Sequence, residues 1–316
     1  MDFLNNLIFM GTSSFAVPAL DALIGKGILP SAVYTQPDRK GGRGRRSLVS
    51  PVKEKALEYE LPVIQPETLR DQTELARFKT LEPSIVVVAS YGAILPLDYL
   101  DLLTNGGLNI HPSLLPLHRG PSPIVNTILA GDTETGVSIF VMDKGMDTGP
   151  ILRQKTTPVY VHETGGELTD RLSLEAANML VPTLIDWIKG DIDPTPQDNN
   201  LASYSKLLKK SDGELDFTEP AINLKRKIDA FNPWPLSFTM YKGKRLTLLE
   251  AWVHDEPEAT LDPGEILYSP SGKKVLLGTA KGSLDIQKIQ IEGKRPVVAT
   301  EFIRGYQDFV GSILPS

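Results

Sequence analysis

The sequence predicts an α/β protein: a mostly parallel sheet with helices, followed by a smaller domain of short antiparallel strands. Three observations predict it. Short apolar runs alternate with stretches of helical spacing through the first half. One run, Ile85-Val86-Val87-Val88-Ala89, is continuous and mostly β-branched, as a strand buried on both faces requires. Beyond about residue 205 the pattern becomes short strand-like runs separated by turn residues.

In order, Leu7-Ile8-Phe9-Met10 reads as the first strand, broken by Gly11-Thr12. Phe15, Leu20, Leu23 and Ile24 follow at helical spacing up to Gly25 and Gly27. Ala32-Val33-Tyr34 and Pro62-Val63-Ile64 read as strands, and Leu69 to Phe78 as a helix. Leu108-Asn109-Ile110 and Val137 to Val141 complete the sheet as parallel strands. From about Gly166 to Lys189, Leu168, Leu172, Met179, Leu180, Leu184, Trp187 and Ile188 line one helical face. The turn formers of 190–200 read as an interdomain linker. Ser237–Tyr241 with Leu246–Val253, and Gly264–Tyr268 with Lys274–Leu277, read as hairpins; Leu284–Ile291 adds a strand. A terminal helix from about Thr300 to Phe309 would close this small barrel.

The chain has 316 residues, enough for two domains that each bury a core. Zero cysteines exclude disulfides, thiolate zinc, iron–sulfur clusters and a thiol nucleophile, and four histidines make a His-rich metal site unexpected. No apolar run approaches the roughly 18 residues of a membrane span. With no positively charged leader in view, a cytosolic location is expected. The first 200 residues carry 17 basic and 24 acidic side chains, the remainder 16 and 15. An acidic front and a near-neutral, Lys-dotted back suggest separate tasks.

Chemistry concentrates in one segment. Asn109-Ile110-His111-Pro112-Ser113-Leu114-Leu115-Pro116 runs on to Arg119-Gly120-Pro121, and Asp143-Lys144-Gly145-Met146-Asp147-Thr148-Gly149-Pro150 follows about thirty residues later. Sites on parallel sheets form beyond the carboxyl ends of strands. Asn109 and His111, two apart on one strand, share a face, and Asp147 lies in the loop after the next strand. A carboxamide donates N–H bonds to a developing oxyanion. An imidazole donates to the same oxygen or moves a proton, and a carboxylate orients it. No activated nucleophile accompanies them, which points to direct acyl transfer to an amine. Ser113 to Pro116 forms a stiff, partly apolar loop suited to a flat ligand. On residue chemistry alone, the same set also reads as a hydrogen-bonded core histidine and a turn aspartate. Gly11-Thr12-Ser13-Ser14 is not a G-x-G-x-x-G fingerprint, so a dinucleotide site is not supported.

Arg39, Lys40, Arg43, Arg45 and Arg46 crowd one eight-residue window with three glycines. Such a loop should be mobile, and it suits phosphate contacts or simply solvent. Lys206, Lys209, Lys210, Lys225, Arg226 and Lys227 offer further cations. Phe231, Trp234 and Phe238 read as core or as base-stacking rings.

The pattern Asn-x-His-x-Ser-Leu-Leu-Pro followed by Asp-x-Gly-x-Asp-Thr-Gly resembles the 10-formyltetrahydrofolate-dependent formyltransferases. Gly131-Asp132 with Thr135-Gly136-Val137, Thr35-Gln36-Pro37-Asp38-Arg39, Ser50-Pro51-Val52-Lys53 and Ala230-Phe231-Asn232-Pro233-Trp234-Pro235 extend the likeness to the branch that formylates methionyl-tRNA. The resemblance implies that Asn109, His111 and Asp147 are catalytic and that Ser113, Leu114, Leu115 and Pro116 contact the folate. It implies a Rossmann-like catalytic domain over 1–189, a linker over 190–205 and an OB-like, tRNA-binding barrel over 206–316. It further implies 10-formyltetrahydrofolate as formyl donor and initiator methionyl-tRNA as partner. Arg39, Lys40, Arg43, Arg45, Arg46, Lys206 and Lys209 would meet the tRNA, and the chain is expected to act as a monomer without a metal. A formyltransferase acting on a nucleotide-linked amino sugar and a non-catalytic RNA-binding module are the competing readings.

Overall fold

The computed structural model describes residues 6–41, 46–254 and 261–316, with the side chains of 40, 41, 46 and 47 outside the description. The chain divides into two compact units, one formed by 1–123, 134–158 and 169–206, the other by 124–133, 159–168 and 207–316. Two ten-residue stretches of the front half thus belong to the second unit, and 190–205, expected as a linker, falls within the first.

The first unit is built on a seven-stranded sheet. Its strands are β1 (Leu7–Gly11), β2 (Ala32–Tyr34), β5 (Val63–Ile64), β6 (Ile85–Ala89), β7 (Gly107–His111), β8 (Glu134–Val141) and β9 (Ile151–Pro158), in the order β5-β2-β1-β6-β7-β8-β9. A small pair, β3 (Arg39–Gly41) and β4 (Arg46–Leu48), stands apart. The helices up to residue 189 are, in chain order, α1 (Val17–Gly25), α2 (Pro51–Glu58), α3 (Gln72–Thr80), α4 (Leu97–Leu100), α5 (Pro123–Ala130) and α6 (Gly165–Lys189), of which α5 beyond Pro123 and the first residues of α6 are counted with the second unit.

From β5 to β7 the sheet is parallel. Leu7 to Met10 of β1 have no exposed surface, the burial that a parallel strand covered on both faces demands. Gly11 ends that strand where a Cβ would lie 2.9 Å from Ala16 Cβ and 3.1 Å from the Ala89 carbonyl oxygen, so only glycine lets the chain turn there. The expected parallel strand at Val137–Val141 is corrected: β8 pairs antiparallel with β7, and the unexpected β9 pairs antiparallel with β8. β9 escaped the pattern because it is a polar edge strand whose residues are mostly exposed or half-buried. The helix expected from Leu69 begins at Gln72 instead, because Asp71 caps it by accepting from Thr73 N–H at 2.9 Å. Helix α2 went unforeseen although Ser50, accepting from Lys53 N–H at 3.1 Å, and Pro51 mark its start.

The second unit carries β10 (Ser237–Tyr241), β11 (Lys244–His254), β12 (Ile266–Ser269), β13 (Lys274–Gly278), β14 (Ser283–Ile291) and β15 (Val297–Val298), with α7 (Ala221–Ala230) and α8 (Ala299–Gly305). The strands pair antiparallel in the order β10-β11-β14-β13-β12, with β15 on β14. Lys242 and Gly243 both take positive φ at the β10–β11 turn, as the two-residue hairpin turn matching strand twist requires. Leu246, Leu248, Ile266, Val275, Leu277, Leu284, Ile286 and Ile289 form its core, joined by Phe302 and Phe309. Helix α7, also unforeseen, packs Ala221, Leu224 and Ile228 into that core. Among the described residues no helix is long and apolar enough to cross a membrane.

Candidate active site

Asn109 and His111 close β7, and Asp147 sits in the turn joining β8 to β9. Asp143 organises that turn by accepting from Gly145 N–H at 2.9 Å and from the Thr148 hydroxyl at 2.7 Å. Gly149 lets the turn return to the strand: a Cβ there would stand 1.8 Å from the Val141 carbonyl oxygen. Asp147 itself has φ 55°, in the left-handed region.

The three side chains meet, but not by the route expected: β8 runs antiparallel, so its last residue, Val141, stands opposite Leu108 near the start of β7, and the 143–150 turn brings Asp147 back to Asn109 and His111. Asn109 Nδ2 donates to Asp147 Oδ1 at 3.4 Å, and His111 Nδ1 stands 3.7 Å from Asp147 Oδ2. That oxygen also accepts from Gly120 N–H at 2.7 Å. His111 Nε2 lies 3.0 Å from the His118 carbonyl oxygen. A carbonyl has no proton to give, so Nε2 carries the hydrogen and donates, which leaves the Nδ1 lone pair facing the carboxylate. His111 is 4% exposed, and burial pushes its pKa below the ordinary value against the opposing pull of Asp147. Burial thus favours the neutral imidazole.

The loop after β7 is rigid because its own polar groups are spent. The Ser113 hydroxyl donates to Leu117 O at 2.6 Å. Ser138 Oγ accepts from Leu115 N–H at 3.0 Å and donates to Ser113 O at 2.6 Å; Gln154 Nε2 reaches Leu115 O at 2.9 Å. The Leu115–Pro116 peptide is cis. Ser113 and Leu115 are buried, while Leu114 and Pro116 are half-buried. A cleft of roughly 220 Å³ opens at the same carboxyl edge of the sheet, lined by Gln36, Glu67, Arg70, Tyr91, Ala93 and Ile94 among others.

Two residues that the sequence reading left without a role belong to this site. Arg119, 1% exposed, donates to Gln197 Oε1 from Nη2 at 2.8 Å. Gln197 Nε2 donates to the carbonyl oxygens of Asp147 at 2.9 Å and Gly149 at 2.7 Å. Arg119 stood inside the quoted motif, but Gln197 lies among turn formers and carried no signal.

The basic residues divide. The window expected as a free loop has paired arms, with Arg39 opposite Leu48 and Gly41 opposite Arg46. At its base Lys53 Nζ donates to Asp38 Oδ2 and Gln65 Oε1, each at 2.6 Å, and Lys53 holds the Asp38 carboxyl below its usual range. Two of the quoted stretches, 35–39 and 50–53, therefore meet as one structure. Arg39, Lys206 and Lys209 are exposed. Arg43 and Arg45 lie outside the described residues, as do the side chains of Lys40 and Arg46. Lys225 is corrected from surface cation to buried residue: it is 6% exposed and paired with Asp229. Lys227 Nζ donates to Glu214 O at 2.7 Å. Phe231 is core, Trp234 is exposed, and Phe238 lies 3.8 Å beneath the Arg245 guanidinium.

Comparison with known proteins agrees along the chain. The family model described as formyl transferase matches residues 5–184, and that of the formyl transferase C-terminal domain matches 207–307. A methionyl-tRNA formyltransferase of Roseiflexus sp. (strain RS-1) is 43% identical over 300 residues, 95% of this chain and 92% of that one. One from Coxiella burnetii (strain RSA 493 / Nine Mile phase I) is 40% identical over 302 residues, 96% of each. Among solved structures, an N-formyltransferase from Helicobacter canadensis bound to folinic acid and dTDP-3-aminofucose is 18% identical, with TM-score 0.66 over 89% of this chain and 98% of that one. HypX from Aquifex aeolicus in complex with tetrahydrofolic acid is 16% identical, with TM-score 0.62 over 96% of this chain and 48% of that one, so both likenesses speak to fold alone. With family models over both halves and curated relatives at 40–43% identity along nearly all its length, the chain belongs to the formyl transferase family, in its methionyl-tRNA formyltransferase branch.

Proposed function

We propose that this chain transfers the formyl group of 10-formyltetrahydrofolate to the α-amine of methionine on initiator tRNA, by direct attack. The observation that carries the reading is the meeting of Asn109, His111 and Asp147 within 3.4–3.7 Å at the carboxyl edge of the sheet, in a chain of this family.

The attacking amine must be neutral, and an α-amine pKa of about 8 makes that form accessible near neutral pH. Asn109 has two amide protons. One is directed at Asp147, and the other is available to the formyl oxygen as it gains charge. His111 Nδ1 can take up a proton because Nε2 already holds one. The resulting imidazolium donates from both nitrogens and is stabilised by Asp147 alongside. Asp147 thus favours the imidazolium as it forms, while the His118 carbonyl holds the ring through Nε2, and the pair assists the proton from the amine towards the departing folate nitrogen. An oxyanion donor contributes about 10²–10³ in rate and a proton-transfer group about 10²–10⁴.

The rigid 113–116 loop and the neighbouring cleft support a place for a flat co-substrate at this edge. The exposed cations Arg39, Lys206 and Lys209, with Lys40, Arg43, Arg45 and Arg46 of the same basic window, would meet tRNA phosphates. A cytoplasmic monomer fits this reading. Mass spectrometry of methionyl-tRNA after incubation with formyl-folate and enzyme tests it, with an amino-sugar nucleotide as the parallel acceptor. A 28-dalton gain on the methionyl group alone, the mass of one added CO, is the expected result. Formylation of the sugar alone would reject the acceptor.

A further inference from the structure

Gln197 lies in a stretch with no catalytic motif, yet its one carboxamide spans the site. Nε2 donates to Asp147 O and Gly149 O at 2.9 and 2.7 Å, while Oε1 accepts from Arg119 Nε and Nη2 at 3.1 and 2.8 Å. The orientation is forced, since carbonyls only accept and a guanidinium only donates. Arg119 is itself fixed: Nη2 also donates to Asn199 Oδ1 at 2.9 Å and Nη1 to the Tyr204 hydroxyl at 3.3 Å. Its main chain exchanges bonds with Ser203 O at 2.9 Å and Ser205 N at 2.7 Å. The next residue, Gly120, gives its N–H to Asp147 Oδ2. The two turns therefore grip one aspartate, Gln197 by its main chain and Gly120 by its carboxylate. Asp147 holds φ 55°, a left-handed conformation that aspartate adopts at modest cost and that these contacts reinforce.

We infer that Gln197 is a positioning residue for formyl transfer, holding the Asp147 turn so that its carboxylate faces Asn109 and His111, with Arg119 as the fixed post behind it. The inference rests on the catalytic reading of Asp147. A glutamine is required because the position must donate on one side and accept on the other. Glutamate would keep the acceptor for Arg119, whose charge would hold the new carboxyl ionised, and would set a bare carboxylate against two carbonyl oxygens.

Gln197→Glu consequently separates stability from positioning. With a retained partner for Arg119, Tm should stay within about 2 °C of the parent. The kcat should fall about 10–100-fold, as misplacement of a reacting group by about 1 Å does, with KM for folate and for tRNA changed less than about threefold. Gln197→Met, of similar length but bonding to neither side, should lower kcat by at least as much and Tm as well. In an Asp147→Asn background, followed in single turnover with enzyme in excess, Gln197→Glu should cost less than about a further twofold, because the group it positions is already gone. Wild-type kcat in Gln197→Glu, a loss confined to KM, or the full factor again in the Asp147→Asn background would each overturn the inference. Wild-type turnover in Asp147→Asn alone would remove its premise and would identify the catalytic reading as the fault.

Discussion

The end of β7 and the β3–β4 hairpin belong to the same unit and are built on opposite terms. At the first, Asn109, His111 and Asp147 are buried or half-buried, with Gly120 and Gln197 donating to Asp147 and His111 donating to the His118 carbonyl. At the second, a network of Asp38, Lys53 and Gln65 secures the base while Arg39 stands exposed. The contrast follows from the two tasks. Stabilising charge on one oxygen requires donors fixed before the reaction, in a place where water cannot compete. Meeting a polyanion requires cations that water still covers, since screened, long-reach attraction gathers the partner and each contact carries little alone.

Mutation can break this comparison or sharpen it. The largest effect is expected from Asn109→Ala, His111→Ala and Asp147→Ala, each lowering kcat by about 10²–10⁴ while tRNA affinity stays within about threefold. Rapid-quench turnover alongside filter binding measures both, and near-parental kcat in all three would end the division of labour. Next comes Lys225→Ala. It leaves Asp229 without its partner at a site where burial, outweighing the pull of Lys225, already pushes that carboxyl up, and should cost about 3 kcal/mol of stability. Urea unfolding would show it, with the salt dependence of tRNA binding unchanged. Lysine substitutions at truly exposed positions behave the other way: Lys206→Ala or Lys209→Ala, like Arg39→Ala, should raise the tRNA KM a few-fold. Each should flatten the slope of log K against log salt by about 0.7–0.9 and leave Tm alone.

The smallest expected effect is a pH dependence. The native pKa of His111 lies below its unfolded value of about 6.5, so its contribution to stability is present above 6.5. It is lost as pH falls from 6.5 towards and through the lower native value, where the unfolded chain binds a proton that the native site refuses. Stability curves from pH 7.5 to 5 should therefore be flatter for His111→Asn than for the parent, and parallel curves would contradict the assignment.

Legibility followed the strength of the local signal. Buried parallel strands announce themselves by unbroken apolar runs, and Asn109, His111 and Asp147 stand in a spacing that chemistry explains. The edge strand β9 announces nothing, since few of its side chains enter the core. Helix α7 hid behind Lys225, Arg226 and Lys227, whose charges suggested a surface although its other face is core. Lys225 shows the general difficulty: a lysine's stem and head serve different environments, and only its neighbours decide which prevails.

By itself the sequence determined the alternation of strand and helix, the residue types of the polar trio and the place of Asn109 and His111 at the carboxyl end of one strand, because these depend on periodicity and residue chemistry along short stretches. The reversal of β8 and β9, the tautomer of His111, the burial of Lys225 and the reach of Gln197 to Asp147 were decided only in three dimensions. Each depends on a partner far along the chain, such as the fifty residues between Asp147 and Gln197, and no local pattern encodes which distant carbonyl an amide will find.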